Sequence, residues 1–185
     1  MPIGLTVTRQ RMTTPQRDLY QQIEQFKLDA TTAIFPFSAK LAWQYRWTEV
    51  YTFRAIQEYK KFVFLVAMTN QNLSPSTVVD RVWHFHLLYT YSYWEEFCGN
   101  ILKRPLHHFP SLGTPQEGVQ YYEQYCETLR LYRHYFGVPP EDIWNPPRHR
   151  PEHGAYQWVD NNHVWIIPKP RYWSVLSRWL KQWVI

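Results

Sequence analysis

Thirty residues, Val79 to His108, hold Asp80, His84, His86, Cys98, His107 and His108, which include four of the chain's eight histidines and one of its two cysteines. These side chains bind first-row metal ions or move protons, so any chemistry in the chain concentrates here. The stretch Val79–Cys98 reads VDRVWHFHLLYTYSYWEEFC. Projected as a helix at about 100° per residue, it turns Asp80 and His84, four positions apart, toward one another. His84 and His86 then point roughly 160° apart and cannot share one ion on an unbroken helix. A ligand set built on Asp80 and His84 therefore needs a donor from outside the helix. His107 and His108 supply it in RPLHHFP, a loop that proline stiffens.

The expected metal set is thus Asp80, His84 and His108, with His86, His107 and Cys98 as secondary candidates. Cys98 lies about two helical turns beyond Tyr91, at the limit of reach. A His-plus-carboxylate set suits zinc first, and iron or manganese where coordination positions stay open; the function that follows is a divalent-metal site, even a latent metalloenzyme. Two readings compete. Asp80 can accept the His84 N–H and fix its tautomer, and a histidine on an apolar face, as His86 is, can be a hydrogen-bonded core residue. The histidines would then be structural, and the chain a non-catalytic interaction module. The sequence contains neither HExxH nor a CxxC pair. No serine stands in a GxSxG elbow, and six scattered glycines form no phosphate loop. Cys98, among Trp and Phe, reads as inert packing rather than as a nucleophile.

Helices must position these residues, and three announce their starts. Thr14-Pro15, Ser74-Pro75 and Thr114-Pro115 each offer a hydroxyl at the N-cap and a proline at the first helical position. The first helix is expected from Pro15 to about Asp29. A second, opening at Thr48, runs to Met68 with Val50, Phe53, Phe62 and Val66 as its buried stripe. The Glu58-Tyr59-Lys60-Lys61 run reads as a solvated face, with Glu58 able to turn inward. The histidine-bearing helix extends from Pro75 to Leu102, since Pro105 forbids much continuation. The last runs from Pro115 to Gly137, a natural left-handed stop with Pro139-Pro140 beyond it. The fold class is all-α: one bundle-like helical domain of four to six helices over residues 1–145, with a short irregular or hairpin C-terminal region.

Length permits one domain with a proper core. Ten Trp, fourteen Tyr and ten Phe make 18% of the chain, so the core is aromatic, and its buried Tyr and Trp need polar partners. Residues 1–144 carry 14 basic and 13 acidic side chains, whereas residues 145–185 carry six and two. The basicity belongs to the tail, which argues against a nucleic-acid platform in the body. Residues 146–185 read as a proline-rich connector, a hairpin around Asp160-Asn161-Asn162 and an amphipathic helix, RYWSVLSRWLKQWVI. That helix packs on the body; as alternatives it docks a protein partner or, less favoured, contacts anionic lipid. Without an apolar span of about 20 residues or a secretory signal, a cytoplasmic protein is expected.

Beyond these local readings, several segments carry a resemblance: EYKKF at 58–62, SPSTVVDRVWHFHLLYTYSYW at 74–94, RPLHHFP at 104–110, FGVPP at 136–140 and Ile143-Trp144. Together they resemble the glycine-rich domain-containing protein family, in its small bacterial members, over roughly residues 47–145. The resemblance rests on VD-x-VWH-x-HLL followed by HH-x-P. It includes Asp80, Trp83, His84, His86 and His108, and implies a functional histidine cluster without naming an activity. The glycine-rich tract of the family's name is missing from this chain.

Overall fold

A computed structural model describes residues 12–69, 71–110 and 114–146. The chain divides after Arg150, and all of these residues belong to the first unit. Among the described residues six helices account for the regular structure: α1 (Thr14–Gln25), α2 (Phe37–Tyr45), α3 (Glu49–Thr69), α4 (Thr77–Leu87), α5 (Ser92–Leu102) and α6 (Pro115–Phe136). No strand occurs among the described residues, and the fold is an all-α bundle. The connector, hairpin and amphipathic helix expected over 146–185, and the docking roles attached to them, lie outside the described residues from 147 onward. No helix among the described residues is long and apolar enough to cross a membrane.

The helix starts follow from capping chemistry, with two shifts of register. α6 begins as the sequence predicts, with Thr114 accepting from the Glu117 N–H and Glu117 returning a bond to the Thr114 N–H. α1 is capped one residue earlier, by Thr13, whose N–H donates to Gln16 Oε1 at 2.9 Å. α4 starts after Ser76, whose Oγ accepts from the Val79 N–H, so Pro75 precedes the helix instead of opening it. α2 is a helix that the sequence reading lacks. Its early Ser38 N–H and hydroxyl both bond to Asp29, each at 2.8 Å, so the satisfying partner sits nine residues away.

α3 is the centre of the bundle, packed by α1, α2, α4 and α6. Its first half is phased differently from the expected stripe. Val50 and Phe53 are 72% and 62% exposed, while Thr52, Ala55, Ile56 and Tyr59 face the core. Thr52 can face inward because its hydroxyl donates to the Thr48 carbonyl at 2.9 Å, leaving a methyl for packing. From Glu58 to Val66 the helix is covered nearly all round, as a central helix must be. The charged run at 58–61 is accordingly not a solvated face. Glu58 is buried and satisfied by Lys61 Nζ at 2.7 Å and Trp144 Nε1 at 2.8 Å. Lys60 is buried too, its ammonium donating to the Glu24 and Phe26 carbonyls where α1 ends.

The single helix expected from Pro75 to Leu102 is two. α4 ends at Leu87, and tight bonds from Leu88 N to Phe85 O and from Tyr89 N to His86 O close its last turn. α5 follows as eleven residues of wide π-helix. At Gly99 an added Cβ would meet the Trp94 carbonyl oxygen at 3.3 Å, a tight contact. No proline or glycine marks the break itself. Its consequence is that Cys98 does not lie on one continuous helix with Asp80 and His84.

Candidate metal centre

α4 presents its two faces as the residue spacing requires. Val79, Val82 and His86 enter the core, and Asp80 and His84 stay at its edge. Asp80 stands in the first turn of α4, where the helix macrodipole favours a carboxylate. The loop after α5 then returns over this edge. Lys103 adopts the left-handed conformation that ends the π-helix, and the Arg104 N–H reaches the Cys98 carbonyl at 3.2 Å.

Buried Tyr93 sets the course of that loop. Its hydroxyl donates to the Leu106 carbonyl at 2.5 Å and accepts the Trp83 indole N–H at 2.8 Å. The Trp83 ring in turn packs edge-on against His108, 4.5 Å between centroids. One hydroxyl thus ties α5, α4 and the loop together two residues before His108. Burial raises the Tyr93 pKa, so the hydroxyl keeps the proton this arrangement needs. Replacing Tyr93 with phenylalanine strands a buried carbonyl and a buried indole N–H, and should lower stability by about 1–3 kcal/mol in chemical denaturation. Fluorescence from Trp83 should report the loosened contact.

The loop delivers His108 to the pair on α4. Its Nε2 lies 2.8 Å from Asp80 Oδ1 and 3.0 Å from His84 Nε2, and the last two atoms are 3.8 Å apart. Asp80, His84 and His108 together form the one cluster of potential metal ligands found among the described residues. The side chains of His108, Asp80 and His84 are 18, 33 and 52% exposed, so the group opens to solvent on the His84 side.

A triangle of these sides has a point about 1.9 Å from all three atoms, its circumcentre. An ion slightly out of that plane sits at the 2.0–2.1 Å typical of zinc–nitrogen bonds. Chords of 2.8, 3.0 and 3.8 Å then subtend roughly 85°, 95° and 135° at the ion. Hydrogen bonding alone serves the group poorly. The Nε2 of His108 carries either one proton or one in-plane lone pair, yet faces two partners. A single N–H cannot point squarely at both.

The remaining candidates are elsewhere. His86 is fully buried, with Nδ1 at 2.9 Å from the Tyr59 hydroxyl and its Nε2 without a partner. Burial, with Lys60 adding to it, pushes its pKa down to about 3, so the ring is neutral in the fold. His107 is exposed and turned toward the Trp94 and Phe109 rings. Cys98 is buried beside Tyr93 and the Leu106 backbone, and burial pushes its thiol pKa up. None of the three stands in the cluster.

Sequence reasoning left out the supports. Trp83 and Tyr93 carried a signal, since a buried Trp and Tyr must find polar partners. Their joint reach to Leu106 depends on the π-turns and could not be read from spacing.

Among known families, the profile of one described as UCP032817-like matches residues 21–135. The match takes in α3, α4, α5, the His108 loop and nearly all of α6, together with α2 and part of α1. It corrects the resemblance drawn from the sequence: membership of the glycine-rich domain-containing family is not supported, and the shared segments belong to an uncharacterised family of a different description. The short VWH-x-HLL and HH-x-P motifs covered only the histidine site and its scaffold, whereas the profile also spans α2 and the end of α1. No curated protein and no solved structure matches the chain significantly.

Proposed function

This chain belongs to the UCP032817-like family, and we propose that it binds one divalent metal ion through Asp80 Oδ1, His84 Nε2 and His108 Nε2. The observation that carries the reading is the convergence of three lone-pair atoms about one point at ligand-bond distance, on a side chain set drawn from a helix and a returning loop. Two imidazoles and one carboxylate favour zinc, with iron or manganese as the other fits. Three protein ligands leave a coordination position open, the pattern of reactive sites rather than of closed structural ones. The partial exposure of His84 supports access to that position. Bound there, the ion supplies Lewis acidity to an oxygen of an incoming molecule. The protein's share is to hold the ligands: Asp80 and His84 through α4, and His108 through Leu106, Tyr93 and Trp83.

The reading is tested on tag-free protein dialysed against zinc, iron(II) or manganese and measured by elemental analysis. One tightly held equivalent per chain is expected for zinc. Binding well below one equivalent for all three metals would overturn the proposal.

A further inference from the structure

Arg81 stands between the two helical ligands in sequence, and its stem leaves α4 on the same side as theirs: three residues before His84 and roughly 100° from Asp80. Its guanidinium lies over the Tyr45 ring, 5.2 Å from the centroid. Elsewhere in the fold Arg54 is engaged by Asp142 and Arg130 by Glu127. Arg81 has no carboxylate and no hydrogen-bond acceptor among the described residues, and the Tyr45 hydroxyl likewise has no hydrogen-bond partner there. Burial raises the Tyr45 pKa, and the hydroxyl also feels Arg81 and Asp80. Trp47 and Tyr51 extend the aromatic surface from Tyr45, with ring centroids at 5.1 and 5.3 Å.

Charge counting gives this arrangement a direction. A divalent ion held by one carboxylate and two neutral imidazoles retains one positive charge, and Arg81 adds a second beside it. Stacking on an aromatic face holds a guanidinium in plane without consuming its N–H donors, which stay available as a fork. We propose that the open side of the centre takes an oxyanion, a carboxylate or a phosphate group, with one oxygen on the ion and another on the Arg81 guanidinium, assisted by the Tyr45 hydroxyl. The inference rests on the metal reading and names the class of molecule that reading admits. Carboxylate and phosphate share the needed chemistry, at least two negative oxygens, so that one can bind the ion while another accepts from the guanidinium.

The test uses the full chain loaded with one equivalent of cobalt(II), whose visible absorption reports changes in its coordination. Acetate and inorganic phosphate are titrated separately. A saturable spectral change is expected with at least one of them, and the tighter of the two assigns the source. In R81Q the anion dissociation constant should rise about 10-fold or more, while cobalt affinity stays within about 3-fold of wild type, as for a group that touches the anion but not the ion. R81K should fall between them, because an ammonium keeps the charge and loses the fork. Equal anion affinity in wild type and R81Q, or an unresponsive spectrum with cobalt bound, overturns the oxyanion site and leaves the metal reading standing. Failure to bind cobalt at all overturns both. Arg81 is partly exposed, so its substitution leaves the core intact.

Discussion

His108→Ala is expected to weaken zinc binding more than about 100-fold, beyond the 10–100-fold typical of partners that only orient a ligand. His108 contributes the atom common to the two short sides of the triangle, and without it Asp80 and His84 are 3.8 Å apart on a surface helix. A pair so exposed holds an ion weakly in water. The folded state should survive the change: the loop is fixed at Leu106 by Tyr93, and the lost bond to Asp80 costs about 0.5–1.5 kcal/mol. His107→Ala is the matched control. Its ring faces Trp94 and Phe109, so zinc affinity should be unchanged although the substituted residue is the immediate neighbour. Competition with a chromophoric chelator measures all three proteins on one scale. Equal losses in the two variants would mean that the loop, and not the His108 ring, matters.

Acid should unfold the protein through His86, in a pH range set by its burial. In the fold its pKa is pushed down to about 3, with desolvation as the main cause and Lys60 as a lesser one. In the unfolded chain it returns to the ordinary value of about 6.5. The unfolded state therefore binds the extra proton between these values, and stability falls as pH drops. The contribution is fully present above about pH 6.5 and is lost at about 1.4 kcal/mol per pH unit down to about pH 3. Around the ring stand Phe26, Phe37, Tyr59, Tyr93 and Phe97, none carrying a negative charge to offset an imidazolium. The nearby Lys60 ammonium opposes it. Urea unfolding of the metal-free protein at pH 7, 6 and 5 should show this slope, and His86→Gln should flatten it while lowering stability at pH 7. A wild-type slope no steeper than that of the variant would show that His86 is not the sensor.

Local chemistry was legible where it stayed local. The i,i+4 spacing of Asp80 and His84, and the opposite pointing of His86, follow from helix geometry, and the coordinates place one pair at the edge and the other ring in the core. Thr114 with Glu117 announced α6 by the same kind of short-range bond. What escaped depended on distant partners. α2 is satisfied by Asp29, far from its first turn, so no local cap advertised it. Glu58 and Lys60 looked like surface charges because their partners, Trp144 and the last carbonyls of α1, are 86 and about 35 residues away. The split between α4 and α5 has no breaker residue, and it puts Cys98 on a different helix from Asp80 and His84. The family, too, was not recoverable from the short shared motifs, because a few aromatic and histidine segments do not carry the identity of the scaffold.

Zinc K-edge absorption of tag-free protein loaded with one equivalent of zinc addresses the ligand triangle directly. The account predicts a first shell of nitrogen and oxygen at about 2.0–2.1 Å, with the outer-shell scattering of two imidazoles and no sulfur. A sulfur shell near 2.3 Å, which would bring in Cys98 or Cys126, or a spectrum indistinguishable from hydrated zinc, would contradict it.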